Sequence, residues 1–311
     1  MKILITGGTG YFGRAMTRYL LTLPATSKVC IYSRGEAAQA AMREEFDDDA
    51  RLRFLIGDVR DQARLERAMG GSTDIVIHAA ALKRVEVGEY NPTEMVKTNV
   101  LGTMDVINAA QNTGAGRMVL LSSDKACAPI NCYGATKLTA EKLALAAGAE
   151  HPLGPTIVVT RYGNVAGSTG SVIPTWRRMI AENRAPWVTD QDMTRFWMSV
   201  QEAVDLVWFA ATGHHIEGSL IVPSLPAFRV ADLYQAMTGE PPAVVGSGVR
   251  PGEKLHEEMI SQAEAFGFSR IDGYWIKGAA FPGEFRRHAF SSDRANRLSV
   301  EELRERLRGV A

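Results

Sequence analysis

The chain has 311 residues and as many acidic as basic side chains, so its formal net charge at pH 7 is zero. A hydrophobic share of 46% and a charged share of 23% are ordinary for a globular protein, and the length suits one large α/β unit or a core domain with a smaller lobe. The charge balance argues against nucleic acid as the main partner, because phosphate binding needs a basic face.

Short apolar runs alternate with amphipathic stretches through the first half of the chain. Continuous apolar runs are typical of strands that helices cover on both faces, which predicts an α/β fold with a doubly wound parallel sheet, the Rossmann arrangement. The predicted strands are Lys2–Thr6, Lys28–Ser33, 51–57, 74–80, 117–123 and 156–161, and the predicted helices are 12–23, Gln62–Met69, 92–112 and 133–147.

The alternation of apolar runs and amphipathic stretches ends at about Asn164, after which Gly, Pro and Trp become frequent and the helical patterns are shorter. We predict a dinucleotide-binding core over residues 1–163 and a smaller C-terminal substrate-binding lobe over 164–311, with the chain partly returning to the core. The tail predicts a helix over 299–307 with a capping box formed by Ser299 and Glu302.

The cysteine and histidine residues predict neither a disulfide nor a metal site. Cys30, Cys127 and Cys132 match no disulfide framework or CxxC zinc pattern, so we expect a reducing compartment, the cytoplasm. His214 and His215 are interpreted as a loop pair, because no third ligand has a suitable spacing. No apolar run is long enough to span a membrane, and "MKILITGG" predicts a strand rather than a signal peptide.

A glycine-rich turn, "ITGGTGYFG", follows the first predicted strand and opens the first helix. Glycines in this context allow a tight turn and let a pyrophosphate approach the backbone N–H groups at the helix N-terminus. The residues that we expect to bind a dinucleotide there are Gly7, Thr9, Gly10, Tyr11, Phe12 and Gly13.

The end of the second predicted strand bears on which dinucleotide is bound. NAD enzymes usually carry an acidic residue there, which meets the ribose hydroxyls. This chain has Ser33 and Arg34 instead, and a hydroxyl and a guanidinium suit a 2′-phosphate. The pattern favours NADP and leaves NAD possible.

The third and fourth predicted strands also end in residues suited to the cofactor. In "GDVRD", we expect Asp58 to meet the adenine amino group and Val59 to pack against the ring. In "HAAALK", the small side chains of Ala79, Ala80 and Ala81 let the cofactor pass close to the strand end.

A tyrosine and a lysine at helical i, i+4 spacing predict the reacting end of the site. Tyr133 and Lys137 fall on one helical face, and an ammonium and an oxidised nicotinamide would both lower the pKa of the phenol. Tyr133 could then take a proton from a substrate hydroxyl while hydride leaves the same carbon. Ser123, at the end of the preceding strand, can hydrogen-bond that hydroxyl.

Taken together, these motifs resemble the extended short-chain dehydrogenase/reductases over almost the whole chain. More narrowly, the chain resembles the UDP-N-acetylglucosamine 4,6-dehydratases of bacterial polysaccharide and pseudaminic acid biosynthesis. The stretches that carry the resemblance are "TGGTGYFG", "YSRGE", "GDVRD", "HAAALKRVEVGEYNP", "TNVLGT", "SSDKACAPINCYGATK", "RYGNVAGSTGSVIP", "MTRFWMS" and "RPGEKLHEEMI". The usual Ser-Thr-Asp-Lys-Ala of the family is Ser-Ser-Asp-Lys-Ala here.

The resemblance implies a three-stage reaction on a UDP-sugar. Tyr133 removes the proton of the C4 hydroxyl as NADP takes the C4 hydride, Lys125 removes the C5 proton, and Asp124 protonates the departing C6 hydroxyl. The hydride then returns to C6 and a proton to C5, with inversion at C5. Lys137 orients the cofactor ribose, and the cofactor is recycled without leaving. Whether Lys125 is protonated stays open, because burial lowers the pKa of a lysine while Asp124 raises it.

The same resemblance implies further contacts. Lys83 and Asn99 would lie near the cofactor, with Lys83 also near the substrate. The implied substrate-binding residues are Lys83, Asn164, Ser171, Val172, Arg195, Arg250 and Glu253, of which the two arginines would clamp the diphosphate. A homo-oligomer, dimer or hexamer, is expected through the helical stretches 92–112 and 133–147.

Several alternatives remain at this point. A UDP-sugar 4-epimerase would also oxidise C4 but would need neither Lys125 nor Asp124. A bifunctional dehydratase/5-epimerase is a further neighbour, although the intact Tyr133 favours the ordinary tyrosine-dependent route. A non-enzymatic NADP-sensing regulator would be expected to lack Tyr133 or Lys137, and both are present.

Overall fold

The computed structural model describes residues 1–71, 73–213, 218–242, 249–278 and 286–310. The predicted loop pair His214 and His215 lies outside the described residues. Within them, no helix is long and apolar enough to cross a membrane.

A large sheet organises the chain. Its strands are β1 (Lys2–Thr6), β2 (Lys28–Ser33), β3 (Leu52–Ile56), β4 (Ile75–His78), β5 (Arg117–Leu121), β6 (Thr156–Thr160), β8 (Leu220–Pro223), β11 (Phe268–Ile271) and β12 (Tyr274–Lys277). Short strand pairs outside it are formed by β7 (Thr194–Phe196) with β9 (Ala227–Arg229) and by β10 (Glu258–Ile260) with β13 (Phe290–Ser291).

The strand order in the large sheet is β3-β2-β1-β4-β5-β6-β8-β12-β11. The first seven strands in this order run parallel, and β12 and β11 are antiparallel additions. The predicted doubly wound sheet is therefore confirmed, and all six predicted strands are present with ends shifted by at most two residues. The order reverses between β1 and β4, and such a reversal opens a crevice at the carboxyl ends of the strands.

Helices cover the sheet. They are α1 (Tyr11–Thr22), α2 (Glu36–Glu45), α3 (Gln62–Met69), α4 (Val85–Tyr90), α5 (Pro92–Val96), α6 (Gly102–Asn112), α7 (Cys132–Glu150), α8 (Val172–Ala181), α9 (Val200–Thr212), α10 (Val230–Thr238) and α11 (Val300–Arg308). The single helix predicted over 92–112 is α5 and α6 joined by a π-helical turn, Lys97–Leu101. The predicted capping box of Ser299 and Glu302 is confirmed at the start of α11.

The second half of the chain contributes to two places. Strands β8, β12 and β11 extend the large sheet beyond β6. Helices α8, α10 and α11 enclose a separate apolar cluster that includes Trp176, Trp197, Leu233 and Leu303. The boundary near residue 163 stays a prediction.

A buried ion pair joins the two halves behind the crevice. The Arg161 guanidinium, at the end of β6, donates to both carboxylate oxygens of Glu141 on α7, at 3.0 and 2.6 Å. The same guanidinium donates to the Met259 carbonyl of β10 at 2.8 Å and pairs with Glu264. Arg161 and Glu141 are each 2% exposed, so the pair fixes β10 against the core from within.

Candidate active site

A cleft of about 690 Å³ opens at the carboxyl ends of the parallel strands. All of the predicted cofactor residues line it except Asn99 and Lys137. The lining residues from that set are Gly7, Thr9, Gly10, Tyr11, Phe12, Gly13, Ser33, Arg34, Asp58, Val59, Ala79, Ala80, Ala81, Lys83 and Tyr133. Ser123, Lys125 and Asn164 line the same cleft, so the structure joins the glycine turn to the predicted reacting groups.

The glycine turn leaves no room for side chains. Gly7 has a φ of +68°, and a Cβ atom there would lie 2.9 Å from the backbone of Ala80. A Cβ atom on Gly13 would collide with the backbone of Gly8. The turn thus brings bare backbone N–H groups to the N-terminus of α1, where a pyrophosphate fits. These features and the residues that line the cleft fit a dinucleotide.

Tyr11 links the glycine turn to the second half of the chain. Its hydroxyl donates a hydrogen bond of 3.1 Å to the Ala166 carbonyl. Gly167 has a φ of +79°, and a Cβ atom there would lie 2.7 Å from the Tyr11 hydroxyl. The loop after Asn164 therefore packs directly on the cofactor turn.

Arg34 is exposed beside the cleft, where its Nη1 lies 3.8 Å from Asp58 Oδ2. Asp58 is held more tightly by Arg60, which donates to its two oxygens at 3.0 and 2.7 Å. The hydrogen bonds from Arg60 lower the pKa of the Asp58 carboxyl below its usual value. Because Arg60 already satisfies Asp58, the Arg34 guanidinium is available to an anion at the ribose position.

Asn99 is not at the cleft surface. It sits in the π-helical turn, where its side-chain amide accepts from the Leu82 N–H at 2.8 Å and donates to the Leu82 carbonyl at 2.9 Å. It also donates to Thr136 Oγ1 on α7 at 3.1 Å. The structure thus has Asn99 holding the backbone next to Lys83, while its neighbour Thr98 lines the cleft.

The predicted acid and base follow β5 in a 3₁₀ turn, Asp124–Ala126. Ser123 caps this turn: its Oγ accepts from the Lys125 N–H and donates to Asp124 Oδ1 at 2.7 Å. A Cβ atom on Gly134 of α7 would collide with the Lys125 carbonyl. The absence of a side chain at Gly134 lets the helix that carries Tyr133 press against the turn.

Lys125 lies between two carboxylates. Its Nζ is 3.2 Å from Asp124 Oδ1, 3.1 Å from Glu257 Oε1 and 3.3 Å from Asn164 Oδ1. The side chains of Asp124 and Glu257 are 1% and 3% exposed, whereas that of Lys125 is 20% exposed and reaches the cleft. We call Asp124, Lys125 and Glu257 the charge cluster.

The charge cluster decides whether Lys125 is protonated, which the sequence left open. Burial lowers the pKa of Lys125, but Asp124 and Glu257 together outweigh it and raise the pKa above the usual lysine value. Burial raises the pKa of Asp124, and Glu257 raises it further, while Lys125 acts in the opposite direction. Asp124 Oδ2 is buried and has no hydrogen-bond partner among the described residues.

Tyr133 departs from the sequence prediction in one respect. Burial raises the pKa of its phenol, and this outweighs the lowering by the Lys125 ammonium and by a hydrogen bond with Ser123. A neighbouring ammonium does lower the pKa of the phenol as predicted, but burial outweighs it among the side chains, and the predicted lowering by an oxidised nicotinamide stays a prediction. The ammonium that acts on Tyr133 is that of Lys125, whereas the prediction relied on Lys137.

Lys137 lies behind Tyr133 rather than in the cleft. Its Nζ donates to the Leu121 carbonyl at the end of β5. Burial lowers its pKa to about 8, and the nearby Glu141 carboxylate partly opposes this. Its predicted contact with a cofactor ribose stays a prediction.

Arg195, Arg250 and Glu253 do not line the cleft, and of these Arg195 lies next to the charge cluster. Arg195 Nε is 3.9 Å from Glu257 and its Nη2 is 3.9 Å from Glu253. Arg250 is exposed, with its Nε 3.8 Å from Glu253. Asn131 donates to the Gly252 carbonyl at 2.7 Å and so ties this loop to the start of α7.

Ser171 and Val172 mark the start of α8. Ser171 is the N-cap, but its buried hydroxyl makes no cap hydrogen bond and has no partner among the described residues. Val172 packs on the apolar cluster of the second half. Neither residue lines the cleft, and their predicted contact with the substrate stays a prediction.

Sequence reasoning missed Glu257 and part of the cleft lining. Glu257 lies in "LHEEMI", part of a stretch that carries the family resemblance. An acidic residue directly before an apolar strand was the feature that could have indicated it. The other missed lining residues lie close to predicted ones along the chain, and they are Tyr32, Gly35, Gly57, Thr98, Leu121, Ser122, Tyr162, Gly163, Val165 and Ser168.

No cluster of metal-ligating side chains is found within the described ranges. The charge cluster is instead neutralised by arginine and lysine. Its acidic and basic side chains lie within hydrogen-bond distance of one another, a geometry that permits proton transfer.

Comparison with known proteins identifies the relatives of this chain. Residues 3–276 match the family described as polysaccharide biosynthesis protein. An inverting UDP-N-acetylglucosamine 4,6-dehydratase of Campylobacter jejuni subsp. jejuni serotype O:2 is 43% identical over 276 residues, which cover 88% of this chain and 81% of the relative. A UDP-glucose 4-epimerase of Rickettsia felis is 38% identical, over 98% of this chain and 94% of the relative.

Among solved structures, Pen from Bacillus thuringiensis superposes with a TM-score of 0.92 and 36% identity. The match covers 99% of this chain and 97% of Pen. The whole described architecture, including the additions after β6, is thus shared with this relative.

Proposed function

Because this chain belongs to the polysaccharide biosynthesis protein family, we propose that it is a sugar-nucleotide 4,6-dehydratase acting on UDP-N-acetylglucosamine. The observation that carries the proposal is the convergence of Tyr133 and Lys125 on one cleft with the glycine turn, with Asp124 buried behind the cleft surface and paired with Lys125. The inverting 4,6-dehydratase of Campylobacter jejuni is among its relatives. In class, the enzyme would be a hydro-lyase that forms a UDP-4-keto-6-deoxy-hexosamine.

The bound cofactor would be a nicotinamide dinucleotide, with NADP preferred. The cleft, the glycine turn and the exposed Arg34 guanidinium beside Ser33, which has only a long contact with Asp58, support this choice. When bound, the nicotinamide supplies hydride chemistry, accepting a hydride from C4 and returning it to C6. Because oxidation and reduction cancel, no external reductant is consumed.

The side chains of the site would move the protons. Tyr133 takes the proton of the C4 hydroxyl, and Ser123 hydrogen-bonds the same oxygen. The resulting ketone acidifies the C5 proton, which passes to the Lys125 amine. Asp124 gives its proton to the C6 hydroxyl, which leaves as water. Lys125 then returns a proton to C5, and delivery to the face opposite the one from which the proton left would invert that carbon.

The substrate diphosphate would lie towards Arg195 and Arg250, with Glu253 between them. Lys83 and Asn164 line the cleft between this region and the glycine turn. Ser171 and Val172, at the start of α8, would contact the nucleotide. Their roles, like the substrate lobe over 164–311, belong to this proposal.

We also propose that the enzyme is a homo-oligomer. Several large apolar side chains are exposed along α4 to α6, including Tyr90, Leu101 and Met104. Such a patch is typical of a protein–protein interface. Dimer and hexamer are both compatible with it, and the cytoplasm stays the predicted location.

A UDP-sugar 4-epimerase is the second candidate, because the Rickettsia felis relative carries that name. An epimerase oxidises C4 and reduces the same carbon, so it needs neither a C5 base nor a C6 proton donor. The charge cluster favours the dehydratase, since it supplies both.

Incubation of the purified protein with UDP-N-acetylglucosamine, without added reductant, tests the proposal. We expect mass spectrometry to detect a product lighter by one water and proton NMR to detect a new C6 methyl doublet. The C5 couplings then report inversion or retention. An unchanged mass with an inverted C4 hydroxyl would replace the dehydratase with the epimerase.

A further inference from the structure

Glu257 is a buried carboxylate at the reacting end of the cleft for which the mechanism above has no use. Its Oε1 lies 3.1 Å from Lys125 Nζ, and its Oε2 has no hydrogen-bond partner among the described residues. Burying a carboxylate without full hydrogen bonding is costly. The presence of such a costly buried carboxylate beside a predicted base points to a role in the chemistry of that base.

The backbone at Glu257 is held without help from its side chain. The Glu257 N–H donates to Ser292 Oγ at 2.9 Å, and the Ser292 N–H donates to the Glu257 carbonyl at 2.8 Å. Arg161 fixes the following strand through the Met259 carbonyl. The backbone hydrogen bonds at Glu257 therefore do not involve its carboxylate.

The charge cluster has two carboxylates for one ammonium. Titratable and charged groups on the neighbouring elements bear on it: Tyr133 of α7, Arg195 of β7 and Lys254 of the preceding loop. Burial raises the pKa of Glu257, but Lys125, Arg195 and Lys254 together lower it below the usual value. Glu257 is thus kept as a fixed negative charge.

The dehydration step needs Lys125 without its extra proton and Asp124 with one. A single transfer along the 3.2 Å hydrogen bond from Lys125 Nζ to Asp124 Oδ1 achieves both, because one N–H bond breaks and one O–H bond forms. The pair works only while it retains that proton, since its loss to solvent leaves no acid for the C6 hydroxyl.

Resting on the proposed function, we propose that Glu257 is a positioning residue that retains this proton on the Asp124–Lys125 pair. Its negative charge, 3.1 Å from Lys125 Nζ, makes loss of the proton to solvent unfavourable while leaving transfer within the pair possible. Lys125 and Asp124 remain the groups that touch the substrate.

Replacing Glu257 by glutamine tests this without changing the shape of the side chain. Removing a negative charge lowers the pKa of the groups that share the proton. Both limbs of the pH profile of kcat should therefore move to lower pH, by about 1–3 units, and activity on the alkaline side should be lost first. Glu257→Asp, which keeps the charge, should lose kcat but retain the wild-type limbs.

Glu258→Gln is the matched control, because Glu258 is the next residue and only partly buried. It removes the same charge without removing a partner of Lys125, so its profile should match that of the wild type. If Glu257→Gln lowers the maximal kcat but leaves both limbs of the pH profile at the wild-type pH, the proposal is overturned. Equal shifts in the two variants would overturn it as well.

A second readout does not depend on catalysis. In holoprotein with labelled lysine, NMR can follow the Lys125 Cε signal with pH, assigned by its loss in Lys125→Arg. We expect Lys125 to titrate at lower pH in Glu257→Gln than in the wild type. An unchanged titration would contradict the role of Glu257, whereas a wild type that titrates as expected but dehydrates no UDP-sugar would contradict only the proposed function.

Discussion

The two ends of the cleft are built in different ways. At the cofactor end, backbone and small residues that directly follow β1 and β4 form the surface, as Gly7 against Ala80 illustrates. At the reacting end, Lys125 meets Glu257 across 132 positions of the chain, and side-chain charges rather than backbone shape set the chemistry.

This difference separates binding from chemistry. Between Gly7 and Gly13 the cofactor end has one titratable side chain, Tyr11, and its hydroxyl is bonded to the Ala166 carbonyl. The reacting end packs an acid, a base and a fixed charge within hydrogen-bond distance. Changes at the first should alter affinity for the cofactor, and changes at the second should alter rates with little effect on that affinity.

Removing the phenol hydroxyl should have the largest effect. Tyr133→Phe should lower dehydration by about 10²–10⁴-fold, because the C4 hydroxyl loses its proton acceptor. Reduced nicotinamide should not accumulate when substrate is added to the holoprotein, as measured by its absorbance. Wild-type turnover in this variant would show that another group starts the reaction.

Replacing the Lys125 amine should reduce product formation about as much, but by blocking a step after C4 oxidation. Lys125→Met should lower dehydration by about 10²–10⁴-fold while C4 oxidation continues. Mixing this variant with substrate should therefore build up reduced nicotinamide, which Tyr133→Phe cannot do. If both variants behave alike, Lys125 does not act after C4 oxidation.

Breaking the ion pair behind the cleft should cost stability rather than chemistry. Arg161→Met leaves the Glu141 carboxylate buried without its guanidinium and should lower the free energy of unfolding by about 3–5 kcal/mol. Denaturant unfolding measures this. Arg184→Met, which loses only a surface pair with Glu182, is the control and should change stability by about 0–1 kcal/mol.

The smallest effect is expected at the adenosine ribose. Arg34→Ala should weaken NADP binding by about 10–100-fold, since a charged hydrogen bond to the 2′-phosphate is lost, and should leave NAD binding nearly unchanged. Titration calorimetry with each cofactor measures both. Arg53→Ala, which removes an exposed arginine of β3 outside the cleft, should change neither affinity, and equal losses for NAD and NADP in Arg34→Ala would contradict a 2′-phosphate contact.

The cofactor end could be predicted from the sequence because its information is local. Apolar runs set the strands, and the glycines come immediately after β1, so strand, turn and helix can be inferred from neighbouring letters. The end of β2 likewise puts Ser33 and Arg34 at the rim of the cleft, as predicted.

The reacting end could be predicted only in part. Tyr133 and Lys125 are close in sequence, and both do reach the cleft. The pairing of Lys125 with Glu257 depends on how the second half folds back, which no local pattern encodes. The π-helical turn keeps Asn99 out of the cleft. It interrupts a stretch with an ordinary helical pattern, and no pattern in the sequence indicates it.

Substrate carrying deuterium at C4 tests the central claim most directly. If Tyr133 and the charge cluster carry out an internal oxidation, elimination and reduction, the protein should convert C4-deuterated UDP-N-acetylglucosamine to a product with the deuterium on the C6 methyl group. Its C5 hydrogen should come from solvent. Deuterium returned to C4 with the C6 hydroxyl intact would contradict the account and identify the activity as epimerisation.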